Sequence, residues 1–242
     1  ARQDGPPVTT CVPAYEMLPV EYVPAERAGG NVFEITAMQL RDMMIHVADR
    51  LIAAETYLSR LDSIVGDGDH GICMAMGMRK ATQRLMSIPE EYLPGEICRI
   101  IGKTVLLVGG ASGVFFGSMF LAAAESLGNK RHIKVCDFAD MWHTAQAAVE
   151  KKGGAHRGEK TLIDALAPAA DAMKEHEGCD YLTALQAAEI AAEKGMLETQ
   201  KMVAKFGRGK FLSDRALGCQ DAGATTVWIM FQGMREYMDS AD

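Results

Sequence analysis

Residues 34–60 read EITAMQLRDMMIHVADRLIAAETYLSR. Phe33 before the stretch and Ile35, Met38, Leu40, Met43, Met44, Val47, Leu51 and Leu58 within it recur at helical spacing and lay an apolar stripe along one face. Seven further stretches carry the same period, roughly 71–87, 94–108, 112–127, 136–152, 160–176, 181–204 and 222–239, and strand signals are nearly absent. Short, glycine-marked connections between consecutive helices favour antiparallel neighbours. The expected fold class is therefore all-α, an eight-helix antiparallel up-and-down barrel or bundle. The sixteen methionines fall mostly on helix faces and read as adaptable core filler.

Size and composition agree with one such domain over residues 32–242. The chain has 242 residues, 48% hydrophobic and 24% charged, enough to bury a full core without splitting. Residues 1–31 hold five of the eight prolines and no helical period, so an extended arm is expected there, draped over a partner. The chain begins without methionine, which fits either processing or excision from a longer protein. A net charge of −7 argues against a nucleic-acid or anionic-membrane surface, which needs a surplus of Lys and Arg on one face. The basic run Asn129 to Lys134 reads as a solvated loop, and Lys151-Lys152 as an ordinary helix C-terminus. No segment reaches the roughly 18 unbroken apolar residues of a membrane span. Cysteines at 11, 73, 98, 136, 179 and 219 form no C-x-x-C pair and no zinc spacing, so reduced thiols and a cytoplasmic location are expected.

In an antiparallel array every second loop lies at the same end, and here those loops, at 61–71, 109–112, 153–161 and 205–223, are the glycine-rich, polar ones. The first contains DSIVGDGDHG at 62–71. Its glycines allow Asp62, Asp67 and Asp69 to converge, and three carboxylates in one turn suit magnesium, a hard cation that takes oxygen ligands and keeps positions for water and phosphate. Two ions would offset the charge better than one. The plainer alternative is a surface turn ending in a helix N-cap; an EF-hand is excluded by ligand spacing.

The second loop, Gly109-Gly110-Ala111-Ser112-Gly113, runs into an apolar helix and offers free N–H groups and a hydroxyl to an anion, although small residues also permit close helix packing. The third, Gly153 to Thr161, places two cations, Arg157 and Lys160, beside flexible backbone, or is a polar turn capped by Thr161. The fourth runs from Gly207 through Arg215 to Ala224 and again ends at a helix start. Four such loops at one end point to a combined anion and metal site at that rim.

The run Leu61 to Gly71, Gly-Gly-Ala-Ser-Gly at 109–113, GEKTLIDALAP at 158–168 and GCQDAGA at 218–224 together resemble the nucleotide-binding L subunit of dihydroxyacetone kinases, over about residues 34–238. The related fatty-acid kinase domain is less similar, since it usually has Thr where His70 stands. The resemblance implies an eight-helix barrel holding ADP or ATP with two Mg2+ ions at one rim. It implies Asp62, Asp67 and Asp69 as metal ligands, His70, Cys73, Gly110 and Ser112 beside the phosphates, and Gly153, Leu162, Arg215, Asp221, Ala222 and Gly223 lining the rest of the nucleotide pocket. Asp62, Asp67, Asp69, His70 and Arg215 would be the residues that assist transfer, by positioning and charge neutralisation.

The implied partners are a ketose-binding K subunit and, where bound ADP is rephosphorylated in place, a phosphotransferase-system donor protein; a second copy of the chain is a further candidate. Departures from the family pattern stand at Cys73 for Asn, Glu159 for Asp, Cys219 for His and Ala222 for Pro. They spare every implied metal ligand and leave a four-carbon ketose open as substrate. A domain of a fused ATP-dependent kinase and a non-catalytic nucleotide-binding regulator are the alternative roles.

Overall fold

The computed structural model describes residues 31–207, 210 and 217–240; the expected arm, except for Asn31, and Arg215 lie outside them. In chain order the elements are β1 (Glu34–Thr36), α1 (Ala37–Ala53), α2 (Glu55–Val65), α3 (His70–Leu85), α4 (Pro94–Leu106) and α5 (Gly110–Leu127). They continue with β2 (His132–Lys134), α6 (Val135–Gly153), α7 (Ile163–Glu175), α8 (Tyr181–Glu198), a 3-10 turn (Thr199–Lys201) and α9 (Ala222–Asp239).

The helices close into a ring. α1 packs on α3, α3 on α4, and so on in chain order through α8 and α9, which returns to α1. α2 continues α1 past Ala54 and packs on α3 and α9, so nine helices among the described residues make eight staves. The expected eight-helix antiparallel barrel is the observed one. Its core is aromatic at the centre. Trp142, Tyr181, Phe116, Phe120, Phe138 and Phe231 are fully buried, with Phe138 edge-on to Trp142 and Tyr181 at ring separations of 5.8 and 5.5 Å. Met43, Met74, Met119, Met173 and Met230 are completely enclosed, as their reading as core filler requires.

Several boundaries differ from the sequence reading. The stretch 34–60 is not one helix: Thr36 caps α1 with a reciprocal pair, its Oγ1 accepting from Gln39 N while Gln39 Oε1 accepts from Thr36 N. The chain before it is extended and pairs antiparallel with β2, Ile35 opposite Ile133, both buried. The basic run 129–134 is thus in part a strand rather than a loop. The helix then continues to Val65, so Asp62 rides on α2 instead of on a loop. At the other end, α7 starts at Ile163 and α8 stops at Glu198, later and earlier than expected.

Two glycine contacts set helix spacing. A Cβ on Gly102 of α4 would lie 2.9 Å from Leu121 of α5, and one on Gly117 would lie 2.9 Å from Leu106. α5 is 18 residues long and apolar enough to pass for a membrane span by length and composition, yet half of it is buried between its barrel neighbours. In α7, Pro168 cannot donate to the Asp164 carbonyl. Gly195 of α8 approaches that carbonyl so closely that a Cβ would sit 2.0 Å from it.

Candidate functional site

Contacts at the rim tie the four loops together, as the antiparallel order predicts. At its centre, one ligand oxygen each from Asp62, Asp67 and Asp69 lies within 4.8 Å of the others. Asp62 is half-buried on the last turns of α2 while Asp67 and Asp69 are exposed on the turn that follows. Gly66 makes that geometry possible, since a Cβ there would meet Asp62 Oδ1 at 2.3 Å. Gly68 takes φ 76°, a left-handed value costly to other residues. Asp69 precedes α3 without a side-chain cap to it, and Asp62 Oδ2 instead accepts from His70 N at 3.4 Å. The donor set is all oxygen, anionic and open to solvent on one side. It fits a hard divalent cation that retains water or phosphate ligands.

His70 opens α3 and is 6% exposed. Its Nδ1 lies 2.7 Å from Ser112 Oγ and its Nε2 lies 2.7 Å from Thr226 Oγ1. The Thr226 hydroxyl donates to the Ala222 carbonyl at 3.0 Å, so it accepts from Nε2–H, which leaves Nδ1 to accept from the Ser112 hydroxyl. Burial pushes the imidazole down to about 4, against the pull of Asp62 and the Ala222 carbonyl. The ring is therefore neutral at pH 7 and acts as a clamp between α3, α5 and α9 rather than as a cation. Cys73, one turn further along α3, is raised above the ordinary thiol value by burial and then by Asp69, Asp67 and Asp62, and stays a neutral thiol.

Beside the clamp, Gly109 and Gly110 hold φ values of 81° and 67°, and nothing lies within 4 Å of a Cβ placed on either. The first-turn amides of α5 have no helical acceptors, an arrangement that receives an anion. Gly153, the last residue of α6, abuts Phe115: a Cβ would fall 2.9 Å from its ring. Opposite, Leu162 touches Gly223, where a Cβ would sit 3.3 Å from that of Leu162. Asp221 caps α9, accepting from Ala224 N at 2.7 Å, with Ala222 buried behind it. Burial raises the Asp221 carboxyl to about 6, Asp164 adding to the effect and Lys160 opposing it. Of the residues named from sequence, all but Arg215 therefore lie on this rim's elements.

Sequence reading missed Thr226, Tyr57, Asp164 and the part played by Lys160. Asp164 accepts from Gly158 N and Thr161 N at 2.5 and 2.7 Å, closing the third loop into a turn. Lys160 is 5% exposed and reaches the carbonyls of Thr199 and Cys219. Gln220 reaches Tyr57 on α2 at 2.9 Å. The available signal was the isolated pair Lys160 and Asp164 beside an apolar run, four residues apart. The departure at Glu159 is accommodated by His156 N at 2.7 Å and Lys205.

Comparison with known proteins gives concordant results. The DAK2 domain family profile matches residues 64–236. The chain is 31% identical over 201 residues to the ADP-binding subunit DhaL of the PEP-dependent dihydroxyacetone kinase of Escherichia coli K12, covering 82% of this chain and 95% of that one. It is 32% identical over 185 residues to the D-erythrulose kinase of Mycolicibacterium smegmatis, covering 75% of this chain and 32% of that longer one. Among solved structures, the dihydroxyacetone kinase of C. freundii in complex with AMP-PNP and Mg2+ superposes with a TM-score of 0.67 at 29% identity. That match takes in 93% of this chain and 38% of the kinase.

Proposed function

This chain belongs to the DAK2 domain family, and from that premise we propose that it is the nucleotide-binding subunit of a short-chain ketose kinase. In this role it presents the terminal phosphoryl group of ATP to a hydroxyl of a ketose held by a partner K subunit. One observation carries the reading: three carboxylates whose ligand atoms lie within 4.8 Å stand beside a glycine-opened helix N-terminus, joined to it through His70 and Ser112. A lone acidic turn would suit many cations; paired with an anion cradle, it suits a metal-bound polyphosphate.

Asp62, Asp67 and Asp69 would hold Mg2+, two ions in the reading favoured by charge, and the metal would supply neutralisation of the phosphate oxygens. The chain's own contribution is placement. Gly110 and Ser112 offer backbone N–H groups to the phosphates, while His70 keeps Ser112 in register. Leu162, Gly223, Asp221 and Gly153 bound the remainder of the pocket, with Ala222 backing Asp221 and Arg215 assigned to the nucleotide as well. In this role the set works without a covalent intermediate, and transfer depends on alignment and electrostatics.

The relatives bear names for both three-carbon and four-carbon ketoses, and both are substrates to test. They also include separate ADP-binding subunits and longer kinases. Retained ADP that is rephosphorylated only by a phosphotransferase-system protein identifies the first organisation; free ATP exchange identifies the second. The direct test mixes the chain with a K subunit, dihydroxyacetone or erythrulose, and Mg-ATP, and measures sugar phosphate. Nucleotide binding without phosphate transfer to either ketose would instead support a regulatory relative.

A further inference from the structure

Lys160 is the only non-glycine residue with positive φ among the described residues, at 60°. A lysine in this left-handed region is strained relative to glycine, so the backbone gains nothing from the side chain. The side chain instead runs inward. Its Nζ donates to two main-chain carbonyls, Thr199 O and Cys219 O, each at 2.5 Å. An ammonium buried this deeply needs charged neighbours as well as acceptors, and the carboxylates of Asp221 and Asp164 supply them.

The two carbonyls belong to segments that also bond each other directly. Asp221 N donates to Thr199 Oγ1 and Gly218 N donates to Gln200 O, both at 2.8 Å. The turn carrying Lys160 is itself rigid, because Asp164 accepts from both Gly158 N and Thr161 N. The ammonium is thus the bolt between a fixed turn and the segment leading to the Asp221 cap, Ala222 and Gly223.

We propose that Lys160 is a positioning residue whose buried ammonium pins residues 217–221 against the 158–164 turn, and that the wall so held sets how long a nucleotide stays bound. The assignment rests on the nucleotide-binding reading above and adds to it the element that controls release. Lys160 lies behind the wall and acts through Asp221, Gly223 and Leu162, not on the reacting atoms.

The test uses the full chain with Lys160→Met, which keeps length and loses charge, and Lys160→Gly, which also relieves the left-handed backbone. Three quantities are read: dissociation of a fluorescent ADP analogue in Mg2+ by stopped flow, Mn2+ affinity without nucleotide, and amide exchange at Gly218 and Asp221 in the ligand-free protein. Both variants are expected to release the analogue at least tenfold faster and to exchange faster at the two amides, with Mn2+ affinity within twofold of the parent. Release within twofold of the parent in either folded variant overturns the assignment, as does an equal loss of Mn2+ binding, which would mark general disruption. Should both variants fail to fold, Lys160→Gln, which keeps a polar side chain and loses the ammonium, must accelerate release; an unchanged rate refutes the pin. A parent chain that binds no analogue fails differently, and overturns the kinase reading itself.

Discussion

Replacing Asp67 by Asn changes one charge and almost no volume, and its effect on stability is expected to reverse sign with the ligand. Without metal, Asp67 repels Asp62 and Asp69. Two unit charges 4.8 Å apart, the outer separation of these ligand atoms, repel by about 0.9 kcal/mol in a water-like dielectric and by about 3.5 kcal/mol at an effective dielectric of 20. Asp67 and Asp69 are exposed, so the lower figure applies. Two pairs give about 2 kcal/mol in dilute buffer, falling toward 1 kcal/mol near 0.1 M salt, where the screening length is about 10 Å. In EDTA the variant should therefore melt about 4–8 °C above the parent in dilute buffer, the gap narrowing to about 2–4 °C near 0.1 M salt.

With Mg-ADP at a hundred times its dissociation constant the parent gains about 2.7 kcal/mol. The variant, short of one anionic ligand, gains far less, and the order of melting temperatures inverts. Differential scanning fluorimetry of both proteins in EDTA and in Mg-ADP reads the crossing directly. A variant that melts below the parent in EDTA and responds equally to Mg-ADP would show that these carboxylates neither strain the free protein nor hold the metal.

Ser112→Ala removes the donor to His70 Nδ1 and leaves a buried acceptor unpaired, so a stability loss of about 1–3 kcal/mol is expected, together with weaker ADP binding by calorimetry. Gly195→Ala, usually favourable in a helix, places a Cβ 2.0 Å from the Asp164 carbonyl and 3.0 Å from Pro168 Cγ; a net loss of about 1–3 kcal/mol in urea unfolding is expected. Asp221→Asn keeps the helix cap and removes a carboxyl that burial raises from 3.8 to about 6. The native state favours the protonated form, so Asp221 contributes most below the unfolded value near 4 and loses that contribution as pH rises through 6. The stability of the parent relative to the Asn variant should therefore fall between about pH 4 and pH 7.5; a pH-independent difference in urea titrations would contradict the shift.

Periodicity made the barrel legible because each stave buries one apolar face, and burial is what a 3.6-residue repeat records. It could not show where α1 ends and α2 begins, since the bend at Ala54 falls inside an unbroken apolar stripe. Nor could it show β1 and β2, which are three residues long with one buried side chain each, Ile35 and Ile133, too short for alternation to register. The Thr36-x-x-Gln39 cap was the overlooked local signal at that boundary.

For the site, the legible residues were those that must be chemically unusual where they stand: acidic side chains crowded together, and glycines at Gly109 and Gly110 whose backbone other residues avoid. The illegible ones have ordinary identities and acquire their roles only from partners far away in the chain. Thr226 matters through His70, 156 residues distant, and Lys160 through Cys219, 59 residues distant. Closing the ring is what creates those pairings, since His70, Ser112 and Thr226 stand on α3, α5 and α9, three staves that adjoin only around a common rim. Substitutions at Thr226 and Lys160 thus test the closure itself, whereas substitutions at Asp62, Asp67 and Asp69 test only the chemistry that a single turn already encodes.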